Sequence, residues 1–170
     1  MELRPYHPAD CPRLAALFRA TVQTVNARDY TQLQLDAWTS GADDLNAWYR
    51  TFAFHIAFVA WEGEEIVGFG DIDASGYLDR LFVHKDRQSQ GIGTALCDAL
   101  ENAVEAPVLT TAASLTARPF FEGRGYRVVR AQQVERQGIF LGNFWMYKEK
   151  FSHSSEKSAK KSLQIPSALL

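Results

Sequence analysis

The sequence predicts one α/β domain, built on a mixed but mostly antiparallel sheet of about seven strands with about four to five helices. Three observations carry that reading. A length of 170 residues fills one well-packed core and falls short of two domains of ordinary size. From His55 to His84 the apolar period is two, in three runs rich in β-branched and aromatic residues, parted only by Glu62-Gly63-Glu64 and Ala74-Ser75-Gly76; such spacing suits antiparallel hairpins. Downstream, Ile92, Ala95, Leu96, Ala99, Leu100, Ala103 and Val104 form a helical stripe between two strand-like runs, a unit that should be parallel and right-handed.

Taken in order, Glu2 to Tyr6 alternates weakly and makes a short strand. Pro8-Ala9-Asp10 offers an N-cap to a helix whose Leu14, Leu17, Phe18, Thr21 and Val25 recur at helical spacing. Thr31-Gln32-Leu33-Gln34 matches a capping box and opens a second helix through Trp38, which Ser40-Gly41-Ala42-Asp43 breaks. Leu45, Trp48, Tyr49 and Phe52 mark a third helical face. His55 to Trp61, Ile66 to Asp73 and Tyr77 to His84 are the strands of a meander. A polar, glycine-bearing segment from Lys85 to Gly93 leads into the long amphipathic helix; Pro107 ends it, and Val108 to Ala112 is the next strand. Ser114 caps a short helix holding Phe120 and Phe121, closed by Gly123 and Gly125. Tyr126 to Glu135 and Ile139 to Lys148 form a last hairpin about Gln137-Gly138, an edge through which a homodimer could form. The sequence has no internal repeat. Residues 152–170 are biased to Ser and Lys and read as a flexible or foreign tail, so the domain is expected to be residues 1–151.

Composition narrows the function classes. With 46% hydrophobic and 22% charged residues the chain should fold as a soluble globule. Its net charge of −2 is unevenly spread: Lys157, Lys160 and Lys161 stand against Glu156 alone in the tail, which leaves residues 1–151 at about −4. An acidic body is a poor polyanion binder, so nucleic acid is not an expected partner and a small or cationic one is. No run of eighteen apolar residues occurs, and Met1-Glu2-Leu3-Arg4-Pro5-Tyr6 lacks the order of a signal peptide, so neither a membrane nor export is expected. Cys11 and Cys97 make no CxxC, which suits a reducing cytoplasm. His7, His55, His84 and His153 are scattered without ligand spacing, so no metal is expected.

A strand that ends in a polar loop and delivers Gly91 and Gly93 to a helix N-terminus builds an anion site from backbone alone. First-turn N–H groups point outward, the helix dipole favours negative charge, and glycine lets a phosphate approach. Two common phosphate signatures fail: a dinucleotide fingerprint needs glycine at Leu96, and a Walker loop needs Gly-Lys-Ser/Thr. Leu81-Phe82-Val83, a spacer, Gln88-Ser89-Gln90-Gly91-Ile92-Gly93 and the helix after it instead resemble the Q/R-x-x-G-x-G/A acetyl-coenzyme A signature of the GNAT superfamily of N-acetyltransferases. Ser114-x-x-Ala117-x-x-Phe120-Phe121-Glu122-x-x-Gly125-Tyr126 is similar to that family's N-x-x-A-x-x-F-Y-E-x-x-G-F helix and turn. Within the superfamily the chain resembles bacterial members of the YafP type, through Tyr30 followed by Trp38, Tyr77-Leu78-Asp79 and Asn143-Phe144.

The resemblance implies direct transfer of acetyl from acetyl-coenzyme A to an amine. It implies pyrophosphate on the backbone amides of Gln88, Ser89, Gln90, Gly91, Ile92, Gly93 and Thr94, and pantetheine along Leu81, Phe82 and Val83 at a splayed parallel strand pair. Ser114, Ala117, Phe120 and Phe121 would complete that cleft, and the Val83 N–H would face the thioester oxyanion. Phe121 departs from the pattern, since many relatives carry there a tyrosine that protonates the thiolate; water, Tyr77 or Tyr30 could substitute. Asp79 is the favoured base, because alternation places it with Leu81 and Val83 on one face near the splay; pairing with an arginine such as Arg80 or Arg118 is the competing role. Tyr77, on the same face, stands where some relatives carry a glutamate base. Asp71 and Asp73 would either attract a cationic amine or stay solvated, His84 should face solvent, and Cys97 should lie off the apolar stripe and be inert. Tyr30 and Trp38, in the helices that cover the acceptor cleft, are candidate acceptor contacts, with packing into the core as their other role. A small-molecule amine is the expected acceptor. A module that binds acyl-coenzyme A without catalysis remains the other reading, on the strength of Phe121.

Overall fold

The computed structural model describes residues 1–150; the boundary at residue 151 and the tail beyond it lie outside the described residues. Seven strands form one sheet: β1 (Glu2–Pro5), β2 (Ile56–Glu62), β3 (Glu65–Ile72), β4 (Tyr77–Val83), β5 (Val108–Ser114), β6 (Arg127–Arg136) and β7 (Ile139–Glu149), in the order β1-β2-β3-β4-β5-β7-β6. Only β4 and β5 run parallel. The helices are α1 (Cys11–Thr24), α2 (Gln32–Thr39), α3 (Leu45–Ala53), α4 (Ile92–Asn102) and α5 (Arg118–Gly123). The strand and helix order expected from sequence is the observed one.

Local chemistry explains most boundaries. Thr31 and Gln34 close the capping box that opens α2, each side chain answering the other's backbone N–H. Pro8–Asp10, read above as an N-cap, is instead a 3-10 turn with its own capping box from His7 to Asp10, and α1 starts only at Cys11. Gln137 and Gly138, both at positive φ, turn the last hairpin.

Helices cover both faces of the sheet. On one, α1, α2 and α3 bury Leu14, Phe18, Leu35, Trp48 and Phe52 against Val59, Phe69 and Leu141. On the other, α4 and α5 bury Leu96, Leu100 and Phe121 against Ala60, Val67, Leu78, Leu109 and Met146. The buried line of α4 is Ile92, Leu96, Cys97, Leu100 and Glu101, rotated from the alanine-bearing stripe the sequence suggested. Cys97 is therefore a core residue and not off the stripe, and burial pushes its thiol up to about 12, so it stays protonated. Glu101 is buried with company: its carboxylate takes Lys148 Nζ at 2.8 Å, Arg124 NH2 at 3.1 Å and the Tyr126 hydroxyl at 3.1 Å, while Lys150 Nζ binds the Glu101 carbonyl at 2.7 Å.

Gly76 joins the meander to β5. Its φ is +90°, its carbonyl accepts from the Thr110 N–H, and a Cβ there would meet the Val108 carbonyl oxygen at 2.6 Å. Gly76→Ala should therefore cost roughly 2–4 kcal/mol, combining left-handed strain with a backbone clash. Urea unfolding of the two proteins measures it, and equal midpoints would show that the turn relaxes freely.

Candidate active site

The site begins where β4 and β5 part. They pair only at Tyr77↔Thr110 and Leu78↔Thr111, and the Thr111 hydroxyl donates to the Leu78 carbonyl at 2.9 Å. Beyond Leu78 the edge of β4 facing β5 has no strand partner among the described residues. Arg80 and Phe82 face β3 with their backbone groups, because His84 N–H, two residues on, donates to Val67 O in that ladder. Alternation then turns the N–H groups of Leu81 and Val83 into the gap. The Val83 carbonyl is already taken by the Thr21 hydroxyl at 3.0 Å and Gln88 Nε2 at 2.7 Å.

A bulge decides where the charged side chains go. Asp71 pairs with Arg80 and Ile72 with Leu78, so Asp79 is the extra residue of β4. Alternation had put Asp79 with Leu81 and Val83; the inserted residue breaks that phase. Leu81 and Val83 pack toward α4, whereas the Asp79 carboxylate comes within 4.8 Å of the His55 and Asp71 ligand atoms on the opposite face.

Asp71 is fully buried, which corrects the expectation of a solvated or amine-attracting residue. Both of its oxygens sit in the fork of Arg80, at 3.0 and 2.8 Å, and His55 Nδ1 lies 2.6 Å from one of them. Arg80 is in turn held over Trp48 and Phe52, with its guanidinium carbon 4.7 and 4.1 Å from the ring centroids. So Arg80 serves Asp71, not Asp79. His55, Asp71 and Asp79 group like metal ligands, yet a guanidinium on both Asp71 oxygens suits that carboxylate poorly to a cation. The hydrogen bond to Asp71 raises the His55 pKa above 6.5. Asp79 is exposed by surface area, but the groups crowded around its carboxylate desolvate it, and that, then the charge of Asp71, raises its pKa. Asp73 lies off this group and closes the turn before β4, accepting from Ser75 N, Ser75 Oγ and Tyr77 N.

Two clefts open from the gap. One, of about 600 Å³, runs to the N-terminus of α4 and is lined by Leu81, Phe82, Val83, Gln88, Ser89, Gly91, Ile92, Gly93, Thr94, Ser114, Ala117 and Phe120. The backbone N–H groups of Gln88 to Thr94 have no partner among the described residues. Gly91 caps α4 at φ +82° with open space where a Cβ would be, so nothing screens that row of donors. Gln90 and Phe121, expected here, do not line this cleft. The Gln88 side chain is spent on the carbonyls of Val83 and His84, leaving its backbone. Arg28 and Arg87 add positive charge to the wall, and Thr21, Asn26 and Thr116 add polar groups. Arg87 sits in the loop itself, one residue before Gln88; the other four reach the cleft through tertiary packing, so no motif singled them out.

The second cleft, of about 280 Å³, holds Asp79, Tyr77, Arg80, Trp38, Trp48, Phe121, Arg136 and Asn143, and shares Leu81, Phe82, Ser114 and Ala117 with the first. Tyr30 reaches it, but its hydroxyl donates to Gly142 O at 2.6 Å and accepts from Leu115 N at 2.9 Å, so it bridges strands and is not free to donate elsewhere. Tyr77 stacks on Trp145, centroids 5.6 Å apart, and burial with the nearby Asp79 charge pushes its phenol up to about 12. Phe121 is packed against Tyr126 and offers no hydroxyl. His84, expected to face solvent, is half-buried and accepts from Asp86 N at 3.2 Å.

A parallel strand pair that splays beside an uncapped, donor-rich helix N-terminus defines a narrow set of folds. Residues 26–147 match the family model of the acetyltransferase (GNAT) domain. The chain belongs to the GNAT acetyltransferases. It is thus an acyltransferase by family, and its likeness to the YafP type is shown: it is 33% identical over 146 residues to the uncharacterized N-acetyltransferase YafP of Escherichia coli (strain K12), across 86% of this chain and 94% of that one. A GCN5-related N-acetyltransferase from Rhodopseudomonas palustris is 35% identical with a TM-score of 0.85, covering 88% of this chain and 95% of that one. The PaiA N-acetyltransferase from Thermoplasma acidophilum, solved in complex with coenzyme A, shares the fold at 14% identity and a TM-score of 0.69, over 88% and 98% of the two chains. No helix among the described residues is long and apolar enough to cross a membrane.

The His55 and Asp71 pair has a measurable signature. A raised histidine pKa adds stability that is complete below 6.5 and is lost as pH rises through the folded value. His55→Gln should therefore flatten the fall in thermal midpoint of the wild type just above pH 6.5, and parallel curves would mean that the pair is not coupled to folding.

Proposed function

We propose that this acyltransferase moves the acetyl group of acetyl-coenzyme A to the primary amine of a small molecule, by direct attack within a ternary complex. One observation carries the reading: two clefts, one lined by free backbone donors and one by a carboxylate, meet at the unpaired edge of β4. The coenzyme A found with PaiA supports the choice of donor. In this reading the α4 N-terminus and its loop take the pyrophosphate, and pantetheine lies in the gap as an added strand.

Asp79 removes the proton that an ammonium must lose, and the neutral amine then attacks the thioester carbonyl. A backbone N–H in the gap stabilises the resulting oxyanion. Leu81 borders both clefts while Val83 borders only the first, so Leu81 N–H is the better placed donor, and Val83 N–H binds the pantetheine chain. Collapse breaks the carbon–sulfur bond and releases thiolate. With no hydroxyl at Phe121, Tyr77, whose phenol near 12 stays protonated at neutral pH, gives its proton to the thiolate and regains one from the nitrogen, which sheds its second proton to become the neutral amide. The Asp79 carboxylate on the second cleft and the modest volume of that cleft favour a small amine over a protein side chain.

Asp79→Asn should lower kcat/KM by roughly 10²–10³ and remove the rising limb of the pH-rate profile, which in the wild type should lie above the usual carboxylate range. The same change should raise stability near neutral pH, because a carboxylate with a raised pKa opposes folding once it ionises; an unchanged profile would rule out the base. For the donor site, Gly91→Glu should cost about 1–2 kcal/mol of stability yet weaken coenzyme A by roughly a hundredfold, through charge and bulk at the helix N-terminus. Calorimetric titration decides, and retained affinity would refute the loop.

A further inference from the structure

Most polar groups of the acceptor cleft are already spent within the protein. Arg80 is committed to Asp71, the Tyr30 hydroxyl to Gly142 and Leu115, the Thr111 hydroxyl to Leu78, and Ser114 Oγ accepts from Ala117 N at 3.0 Å. Besides the Tyr77 hydroxyl and the Trp38 indole N–H, the groups without a partner of their own include the Asp79 carboxylate, Asn143 Oδ1 and the Arg136 guanidinium, which makes no ion pair among the described residues.

Asn143 Oδ1 is buried and has no hydrogen-bond partner. Its residue stands on β7 opposite Ser114 of β5, and Ser114 borders both clefts, so this acceptor lies beside their junction. A buried carbonyl oxygen without a donor is costly, and a ligand N–H is the group that relieves it. Asp79 is a second acceptor in the same small cleft. Two acceptors, one of them anionic, suit the several N–H bonds of an ammonium.

Arg136 supplies the opposite sign. It is the last residue of β6 and exposed, its NH1 donates to the Glu135 carbonyl at 3.0 Å, and it makes no ion pair among the described residues. It lines the cleft with Asp79 and Tyr77. A guanidinium without a carboxylate, facing a small cavity, is a planar fork for one.

We infer that the acceptor is a small zwitterion of the amino-acid class, whose ammonium is received by Asp79 and Asn143 and whose carboxylate is received by Arg136. The inference rests on the transferase reading for its chemistry, and on the unpaired acceptor and unpaired guanidinium for its substrate class. The sequence did not reveal it: neither residue falls in a family motif that carries chemistry, and Arg136 reads as a hairpin charge.

The test compares matched pairs, glycine against methylamine and L-lysine against 1,5-diaminopentane, by equilibrium titration into the protein loaded with coenzyme A and by thiol release from acetyl-coenzyme A. At least one amino acid should bind roughly tenfold or more tightly than its decarboxylated partner, the scale of a charge-assisted bidentate contact. Arg136→Gln should collapse that ratio toward one, and Arg136→Lys should restore part of it. Asn143→Leu should weaken the preferred amino acid roughly tenfold, mainly in KM. Equal binding within both pairs, no binding of either amino acid, or a ratio indifferent to Arg136→Gln would overturn the inference. Absence of thiol release with every amine would overturn the transferase reading instead, while the titration still decides the substrate class.

Discussion

Two residue pairs hold β4 to β5, and the rest of the molecule is arranged around the place where they stop. A parallel ladder this short would ordinarily be a weakness, because the strand edges beyond it expose unsatisfied N–H and C=O groups. Here the last rung is sealed by the Thr111 hydroxyl on the Leu78 carbonyl, and the exposed edge faces a gap instead of open surface. The bulge at Asp79 falls one residue beyond the last rung. One inserted residue thus ends the pairing and reverses the phase of the strand, leaving Leu81 and Val83 toward α4 and the acid toward the second cleft.

The charge behind that acid is handled at close quarters. A fully buried carboxylate such as Asp71 is stable only with excellent partners, and it has a bidentate arginine, itself held over two aromatic rings, and a histidine. Neutralising Asp71 so completely keeps a second negative charge near Asp79 from dominating the cleft. Desolvation by its neighbours, with what repulsion remains, holds the Asp79 pKa up, the direction that the proposed role as base requires.

Much of this was legible in the residues. Capping at Thr31, the period-two runs and the glycine turn before α4 are local signals, and they gave the elements, their order and the donor-rich loop. Phase was not legible, since a bulge is set by the neighbouring strand: Asp79 could be named as an acid near the splay but not assigned a face. Burial of Asp71 was invisible for a similar reason, because its compensating partners come from β4 and from the residue before β2. Tyr30 looked like an aromatic contact and proved to be a bridge across 112 positions of chain. Asn143 stood only in the subgroup run Asn143-Phe144, which carries no chemistry, and Arg136 in no motif; their unpartnered polar groups singled them out.

Glu101 finishes the picture from the far end of α4. Its carboxylate gathers Arg124, Tyr126 and Lys148, and its carbonyl takes Lys150, so the C-terminal turn of the helix is riveted to the segment carrying β6 and β7. The N-terminal turn of the same helix packs Ile92 and Leu96 against β2 and β3. The helix is therefore a rigid spar across a sheet whose two halves are joined, among the described residues, by two residue pairs of one parallel ladder. An anion seated at its free end would load that spar along its length, and the gap could widen at its mouth only by bending a helix anchored at the other end.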